Sequence, residues 1–159
     1  LVIFILATLA LIIELTQRTQ DIDAGIEELK KAEKARHDIL NEVKEQLAKQ
    51  KIKVVIADNE TVIRIPEETL TFKSGQDLIP KYKLDSVKRI GVILHSAIIK
   101  NERFKYLDTV FIEGHTDSIP IKFGKYRTKG NWGLSADRAI TVWKIWSEEL
   151  KLSPTQLML

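Results

Sequence analysis

Cysteine is absent from this 159-residue chain, and histidine occurs only three times, at His37, His95 and His115. The absence of cysteine excludes a disulfide framework and thiolate chemistry, although it leaves the cellular compartment open. Neither an HExxH zinc pattern nor a GxSxG nucleophile pattern occurs. The net charge of +3 is too small and too dispersed to favour nucleic acid. We therefore predict that the chain is not an enzyme and does not bind nucleic acid.

Charged side chains are missing from residues 1–13, where Thr8 is the only polar side chain. Thirteen helical residues span about 20 Å, which is less than the roughly 30 Å of hydrocarbon in a bilayer. Because the chain begins with Leu and not Met, we interpret residues 1–13 as the C-terminal part of a transmembrane helix. A signal-like segment and a soluble core helix are the alternatives.

Proline is missing from residues 14–51, and Gly25 is their only glycine. Seventeen of these 38 residues are charged, so we expect this segment to be too polar to be buried in its own chain. Its pattern predicts a charged helical or coiled-coil linker that pairs with a copy of itself or extends as a solvated spacer. A partly disordered linker is the alternative, and Gly25 is a candidate break. The heptad-like stripe consists of Leu15, Ile22, Leu29 and Val43, with a second row at Ile26, Leu40 and Leu47.

Residues 52–159 have the mixed composition of a globular domain. Runs of β-branched residues predict a hairpin, and two amphipathic patterns predict helices. Because strands and helices alternate, we predict an α/β (α+β) sandwich in which helices pack on one sheet. The predicted elements are strands at 53–57 and 61–65, a helix from Pro80 to about Lys100, a strand at Thr109–Glu113, and a helix from about Gly133 to Leu150.

Two polar clusters, at residues 113–118 and 131–138, lie where the third strand ends and the second helix begins. Gly114 would allow a close turn that lets them converge. Asp117 and Arg138 would then suit a zwitterionic ligand, because a carboxylate holds an ammonium group and a guanidinium holds a carboxylate. Residue types alone slightly favour the plainer alternative, an internal Asp–Arg salt bridge. His115 beside Asp117 is a weaker candidate for a metal site or catalytic dyad.

The loop at residues 118–131 contains four basic residues and no acidic one. Such a loop is most often simply solvated, although it could contact anionic groups on a polymer. Its basic residues are Lys122, Lys125, Arg127 and Lys129.

The stretches FIEGHTD at residues 111–117 and NWGLSADRA at residues 131–139 resemble the OmpA/MotB family of peptidoglycan-binding domains, and FKSG at residues 72–75 resembles its loop before the first long helix. The resemblance covers roughly residues 62–159. It implies non-covalent binding of the peptide stem of peptidoglycan, with no catalysis and no cofactor. The residues that it assigns to the binding pocket are Asp117 and Arg138, which would hold the zwitterion, and Thr116, Asn131, Leu134 and Ser135.

The order of an apolar helix, a polar spacer and this domain is similar to that of MotB-type stator subunits, and the NWGLSADRA stretch resembles the ZorB subunit of Zorya anti-phage systems. That resemblance implies a single-pass homodimer in the bacterial inner membrane, with its C-terminal domain in the periplasm. It also implies a multi-span MotA/ZorA-like partner ring and a transported proton or sodium ion. The ion-carrying Asp would lie upstream of Leu1, and the domain would continue past residue 159. A flagellar stator, or a passive anchor from membrane to cell wall, is the alternative.

Overall fold

The computed structural model describes residues 2–57, 61–107, 109–122, 124–151 and 157–158 of the chain. Within these residues the order of elements is α1 (Val2–Lys49), β1 (Val55–Ala57), β2 (Val62–Arg64), α2 (Lys81–Ile99), a 3-10 segment (Lys100–Tyr106), β3 (Val110–Phe111), α3 (Gly130–Lys144), a π turn (Ile145–Glu149) that continues α3, and β4 (Leu157–Met158).

Helix α1 is continuous over 48 residues, which corresponds to about 72 Å at about 1.5 Å per residue. It is helical through most of the predicted linker and shows no break at Gly25. Ion pairs one turn apart, such as Arg18 with Glu14 at 2.7 Å, support its solvated face. Among the residues that the structure describes, no helix is both long and apolar enough to cross a membrane. The predicted transmembrane helix at residues 1–13 is therefore not supported.

The last third of α1 is part of the hydrophobic core, which corrects the expectation that the linker is too polar to be buried in its own chain. The side chains of Ile39, Val43 and Leu47 are 4%, 0% and 0% exposed. They lie four residues apart on one helical face and cluster with Val87 and Ile90 of α2. One apolar stripe is sufficient for packing while the charged faces stay in water. The core thus extends upstream of the predicted boundary at residue 52.

A network of ion pairs at the edge of the core links α1 to the 3-10 segment. Glu42 accepts hydrogen bonds from Lys100 and from Arg103, both at 2.7 Å. These bonds, to Lys100 first and then to Arg103, lower the pKa of Glu42. Arg103 also donates to the carbonyl of Ala97 at 3.1 Å. Since the Arg103 side chain is only 12% exposed, this network lies beside the core and not on an open surface.

The strands form two separate pairs. β1 and β2 are antiparallel, with Val55 opposite Arg64, which confirms the predicted hairpin; its turn at residues 58–60 lies outside the described residues. β3 and β4 are parallel, with Val110 opposite Leu157. The α+β class is confirmed, but the predicted single sheet is not found in the described residues, and the third strand is shorter than predicted.

Helices α2 and α3 pack closely at Gly91. A Cβ atom at this position would lie 2.5 Å from the indole of Trp146. The Trp146 side chain is buried, and its Nε1 donates to the carbonyl of Val87 at 2.9 Å, so the indole nitrogen is not left unpaired. Ala139 of α3 is buried as well. This packing orients the N-terminal turns of α3 toward the end of β3.

Candidate functional site

The segment that follows β3 lies directly against the first turns of α3 at Gly114. A Cβ atom at Gly114 would lie 2.0 Å from the backbone oxygen of Ser135 and 3.0 Å from the backbone nitrogen of Ala139. A side chain cannot be accommodated against backbone at this separation, so the close approach requires glycine. The convergence of the two polar clusters is therefore confirmed, and it brings residues 115–117 beside Arg138.

Three backbone carbonyls hold the guanidinium of Arg138. Its Nη1 donates to His115 at 2.7 Å, its Nε to Gln76 at 3.1 Å and its Nη2 to Lys73 at 3.4 Å. The guanidinium carbon also lies 4.8 Å from the centroid of the Phe72 ring, a distance typical of a cation–π contact. These partners come from two loops that are remote in sequence, so they fix the position of the charge relative to the rest of the domain.

Asp117 lies close enough to interact electrostatically with Arg138 but does not form an ion pair with it within the described residues. Burial lowers the pKa of the Arg138 guanidinium, and the charge of Asp117 opposes that shift. The Oδ1 atom of Asp117 accepts from the backbone N–H of Ile119 at 3.2 Å. The internal salt bridge that residue types favoured is thus not formed, and each charge faces the site without a charged partner in direct contact.

Asn131 ties the loop after Asp117 to the start of α3. Its Nδ2 donates to the carbonyl of Asp117 at 2.8 Å and to that of Ile119 at 3.1 Å. Its Oδ1 is buried and has no partner among the described residues. A buried unpaired acceptor is costly, so a donor from water or ligand would be favourable there. Asn131 therefore shapes the site by holding the backbone of the loop.

The remaining predicted site residues occupy different positions. Leu134 is buried in the domain, so its side chain packs inside the domain. The hydroxyl of Ser135 donates to the carbonyl of Trp132 at 3.0 Å, within α3. Thr116 is half-buried between His115 and Asp117. All six predicted residues come from the two segments that Gly114 brings together, but their roles in binding stay predictions.

A second cluster beside the site was missed by sequence reasoning. The hydroxyl of Tyr126 donates to Asp137 at 2.7 Å, and Lys125 pairs with Asp137 at 3.0 Å and with Asp77 at 3.2 Å. Burial, followed by the hydrogen bond to Asp137, raises the pKa of Tyr126 to about 12. Hydrogen bonds to Tyr126 and Lys125 lower the pKa of Asp137. Lys125 is therefore a structural cation that holds the basic loop, not a free charge for a polymer.

The Tyr126 cluster has only a weak signature in the sequence. Tyr126, like Phe123, is an aromatic residue in an otherwise strongly basic loop, and its side chain is buried. The acidic partners Asp77 and Asp137 lie 48 and 12 residues from Lys125, at separations that no local pattern encodes. The presence of aromatic residues in a charged loop was the available signal.

Metal-binding geometry is not found in the described part of the chain, where no group of three or more His, Cys, Asp or Glu side chains could hold an ion. His115 lies 3.7 Å from Glu113, and both side chains are largely exposed. The site instead offers a fixed cation, a nearby carboxylate and backbone groups. These groups are of the chemical types that complement the two charges of a small zwitterion.

The family model of the OmpA family matches residues 71–159. The match covers more than half of the chain and includes Gly114, both charged residues of the site and the loop that contributes Phe72. No curated protein matches the chain.

Proposed function

The chain belongs to the OmpA family, and we propose that Arg138 and Asp117 hold the two opposite charges of a zwitterionic residue in the peptide stem of peptidoglycan. Domains of this family bind peptidoglycan and are not catalytic, which agrees with the predicted absence of enzymatic activity. The observation that carries the proposal is the state of Arg138. Its charge is fixed by backbone carbonyls and is not consumed by an internal ion pair.

The hydrogen-bonding capacity of Arg138 matches a ligand carboxylate. Arginine has five N–H donors, and three of them bond to carbonyls. One donor on each terminal nitrogen therefore has no partner among the described residues, and such a pair can bind a carboxylate in bidentate fashion. The Oδ2 atom of Asp117, which accepts no hydrogen bond from the described residues, is suited to the ligand ammonium.

Pull-down of the 159-residue chain with purified peptidoglycan tests the proposal. We expect Arg138→Ala and Asp117→Ala each to weaken binding by about 2–5 kcal/mol, because the ligand charge that the deleted side chain would hold is left unpaired. Arg89→Ala is the matched control, since Arg89 is an exposed arginine on α2 whose partners Asp85 and Gln50 are not site residues. Retained binding in both site variants, with melting curves like the wild type, would reject the proposal.

The finer proposal is that the chain is the wall-anchored stator subunit of an ion-driven inner-membrane motor, of the MotB or ZorB kind. It is supported by the long continuous helix α1 and by an exposed apolar stripe at Leu15, Ile22 and Leu29. Heptad spacing of this stripe suits pairing with a second copy. The proposal includes an inner-membrane location with a periplasmic binding domain, a MotA/ZorA-like partner ring and transport of a proton or sodium ion.

A passive anchor from membrane to wall, and a flagellar rather than phage-defence stator, are the competing functions. The motor proposal requires a complex with a multi-span membrane protein. Expression of the gene with its neighbours, followed by detergent extraction and affinity purification, measures this. Recovery of the chain without such a partner would favour the passive anchor, while the identity of a recovered partner separates the flagellar from the defence setting.

A further inference from the structure

Trp132 is the most exposed large hydrophobic side chain among the described residues, at 89%. Tryptophan offers one of the largest apolar surfaces of any side chain, and most of it is normally buried. Isolated exposed apolar residues are common, so exposure alone is not informative. The position of Trp132 within the domain is what makes it informative.

The backbone of Trp132 is fixed at the rim of the proposed stem site. Its neighbour Asn131 donates to the carbonyls of Asp117 and Ile119, and the hydroxyl of Ser135 donates to the carbonyl of Trp132 itself. Consecutive Cα atoms are about 3.8 Å apart, so Trp132 lies one residue from a side chain that contacts the Asp117 backbone. The backbone of Trp132 therefore lies beside the site in the first turn of α3, and its indole is exposed.

The ligand of the proposed site contains more than the zwitterionic residue, because peptidoglycan also has a glycan strand. A peptide stem is covalently bonded to a sugar of the glycan strand, and an extended stem of about three residues spans only about 10 Å. A stem held at Arg138 and Asp117 thus places sugar rings near the rim of the site. Pyranose rings present C–H faces that pack on aromatic rings, while their hydroxyl groups stay in water.

We propose that Trp132 is a stacking platform for a sugar ring of the glycan strand whose peptide stem is held at Arg138 and Asp117. The inference rests on the proposed function and adds the glycan as a second part of the ligand. Ile119, which is also exposed at 69%, has its carbonyl held by the same Asn131.

A sugar suits this surface better than a protein partner. A stable protein interface buries roughly 800 Å² on each side, whereas the apolar surface here is one indole and one aliphatic side chain. Polar groups of Asn131 and Ser135 adjoin it and are partly satisfied within the chain. A single ring with a polar border matches one sugar unit with its hydroxyl groups.

Calorimetric titration of the 159-residue chain tests the platform with two probes: a disaccharide that carries one stem peptide, and the same stem peptide without sugars. We expect the wild type to bind the disaccharide probe roughly tenfold more tightly, a difference of about 1.4 kcal/mol. Trp132→Ala should remove this difference and leave affinity for the free stem unchanged. Trp132→Phe should restore most of it, because a flat aromatic face remains.

Tyr82→Ala is the matched control, since Tyr82 is a well-exposed aromatic residue on α2 and should leave both affinities unchanged. The platform is rejected if Trp132→Ala weakens both probes equally, if it weakens neither, or if the wild type does not distinguish them. These three outcomes would reject only the platform, because they do not test whether Arg138 binds the stem. If the wild type binds neither probe, the stem site fails as well, and the platform is overturned with it.

Discussion

Two arginine-centred regions of this domain differ in how their charge is neutralised. Arg103, in the 3-10 segment, contacts the carboxylate of Glu42 at 2.7 Å. Arg138, in the middle of α3, contacts three carbonyl oxygens and the Phe72 ring but no carboxylate within the described residues. A charge that is paired within the chain serves the fold. A charge that is held by neutral groups has no paired anion in the part of the chain that the structure describes, and this difference is why we propose a ligand for Arg138 and not for Arg103.

The largest expected effect comes from substituting each of the two arginines in turn. Arg138→Ala should reduce peptidoglycan binding by about 2–5 kcal/mol and also lower the free energy of unfolding by roughly 1–3 kcal/mol, because three carbonyls lose their donor. Arg103→Ala should leave binding intact and reduce the free energy of unfolding by roughly 1–3 kcal/mol, because Glu42 loses a charge-assisted hydrogen bond. Pull-down and urea denaturation measure the two effects. Equal loss of binding in both variants would remove the distinction.

Gly114→Ala should damage the Arg138 region without removing any charge. The added Cβ would meet the backbone oxygen of Ser135 at 2.0 Å, so residues 114–117 must move away from α3. We expect a cost of about 1–3 kcal/mol in stability and loss of peptidoglycan binding. Gly25→Ala is the control, because its Cβ would meet nothing within 4 Å and alanine favours the helix by about 1 kcal/mol. Normal binding by Gly114→Ala would show that the close approach is unnecessary.

The Arg103 region should also make stability depend on acid. Hydrogen bonds to Lys100 and Arg103 lower the pKa of Glu42 from 4.5. Glu42 thus contributes its full stabilisation above about pH 4.5, and this contribution is lost as the pH falls through the lowered folded-state pKa. We expect Glu42→Gln to be less stable than the wild type at pH 7 and to approach it at pH 3. A constant difference across thermal melts at these pH values would contradict this assignment.

A smaller stabilising change is expected where α1 ends. Lys51 has a φ of 59°, and the bonds from Lys51 to Ala48 and from Ile52 to Leu47 form the Schellman motif, in which glycine is preferred. Lys51→Gly should therefore raise the free energy of unfolding by about 0.5–1 kcal/mol. This change lies outside both arginine regions, so it should leave binding unchanged. Urea denaturation measures the gain, and a loss of stability would contradict the strain argument.

Local pattern was sufficient to predict several parts of the fold. The β1–β2 hairpin and α2 follow from apolar periodicity and the turn and proline signals that bound them. The convergence of residues 113–118 and 131–138 was also predicted, because Gly114, Asp117 and Arg138 lie within two short motifs. By contrast, Val43 and Leu47 were assigned to two different rows of a heptad-like stripe and Ile39 to neither, and the packing of all three against α2 was not predicted. A stripe of this kind can pack against a second copy or against α2, and periodicity does not distinguish the two.

The sequence by itself therefore determined the helical linker, the hairpin, the α+β class and the residues that could form a binding site, since each depends on neighbours within a turn or two. Only the tertiary structure decided that the end of α1 belongs to the core and that Lys125 is tied down by Asp77 and Asp137. It also decided that Arg138 donates to carbonyls 62 and 65 residues away instead of pairing with Asp117. These outcomes depend on which surfaces meet when the helices pack, and contacts between remote residues leave no periodic pattern along the chain.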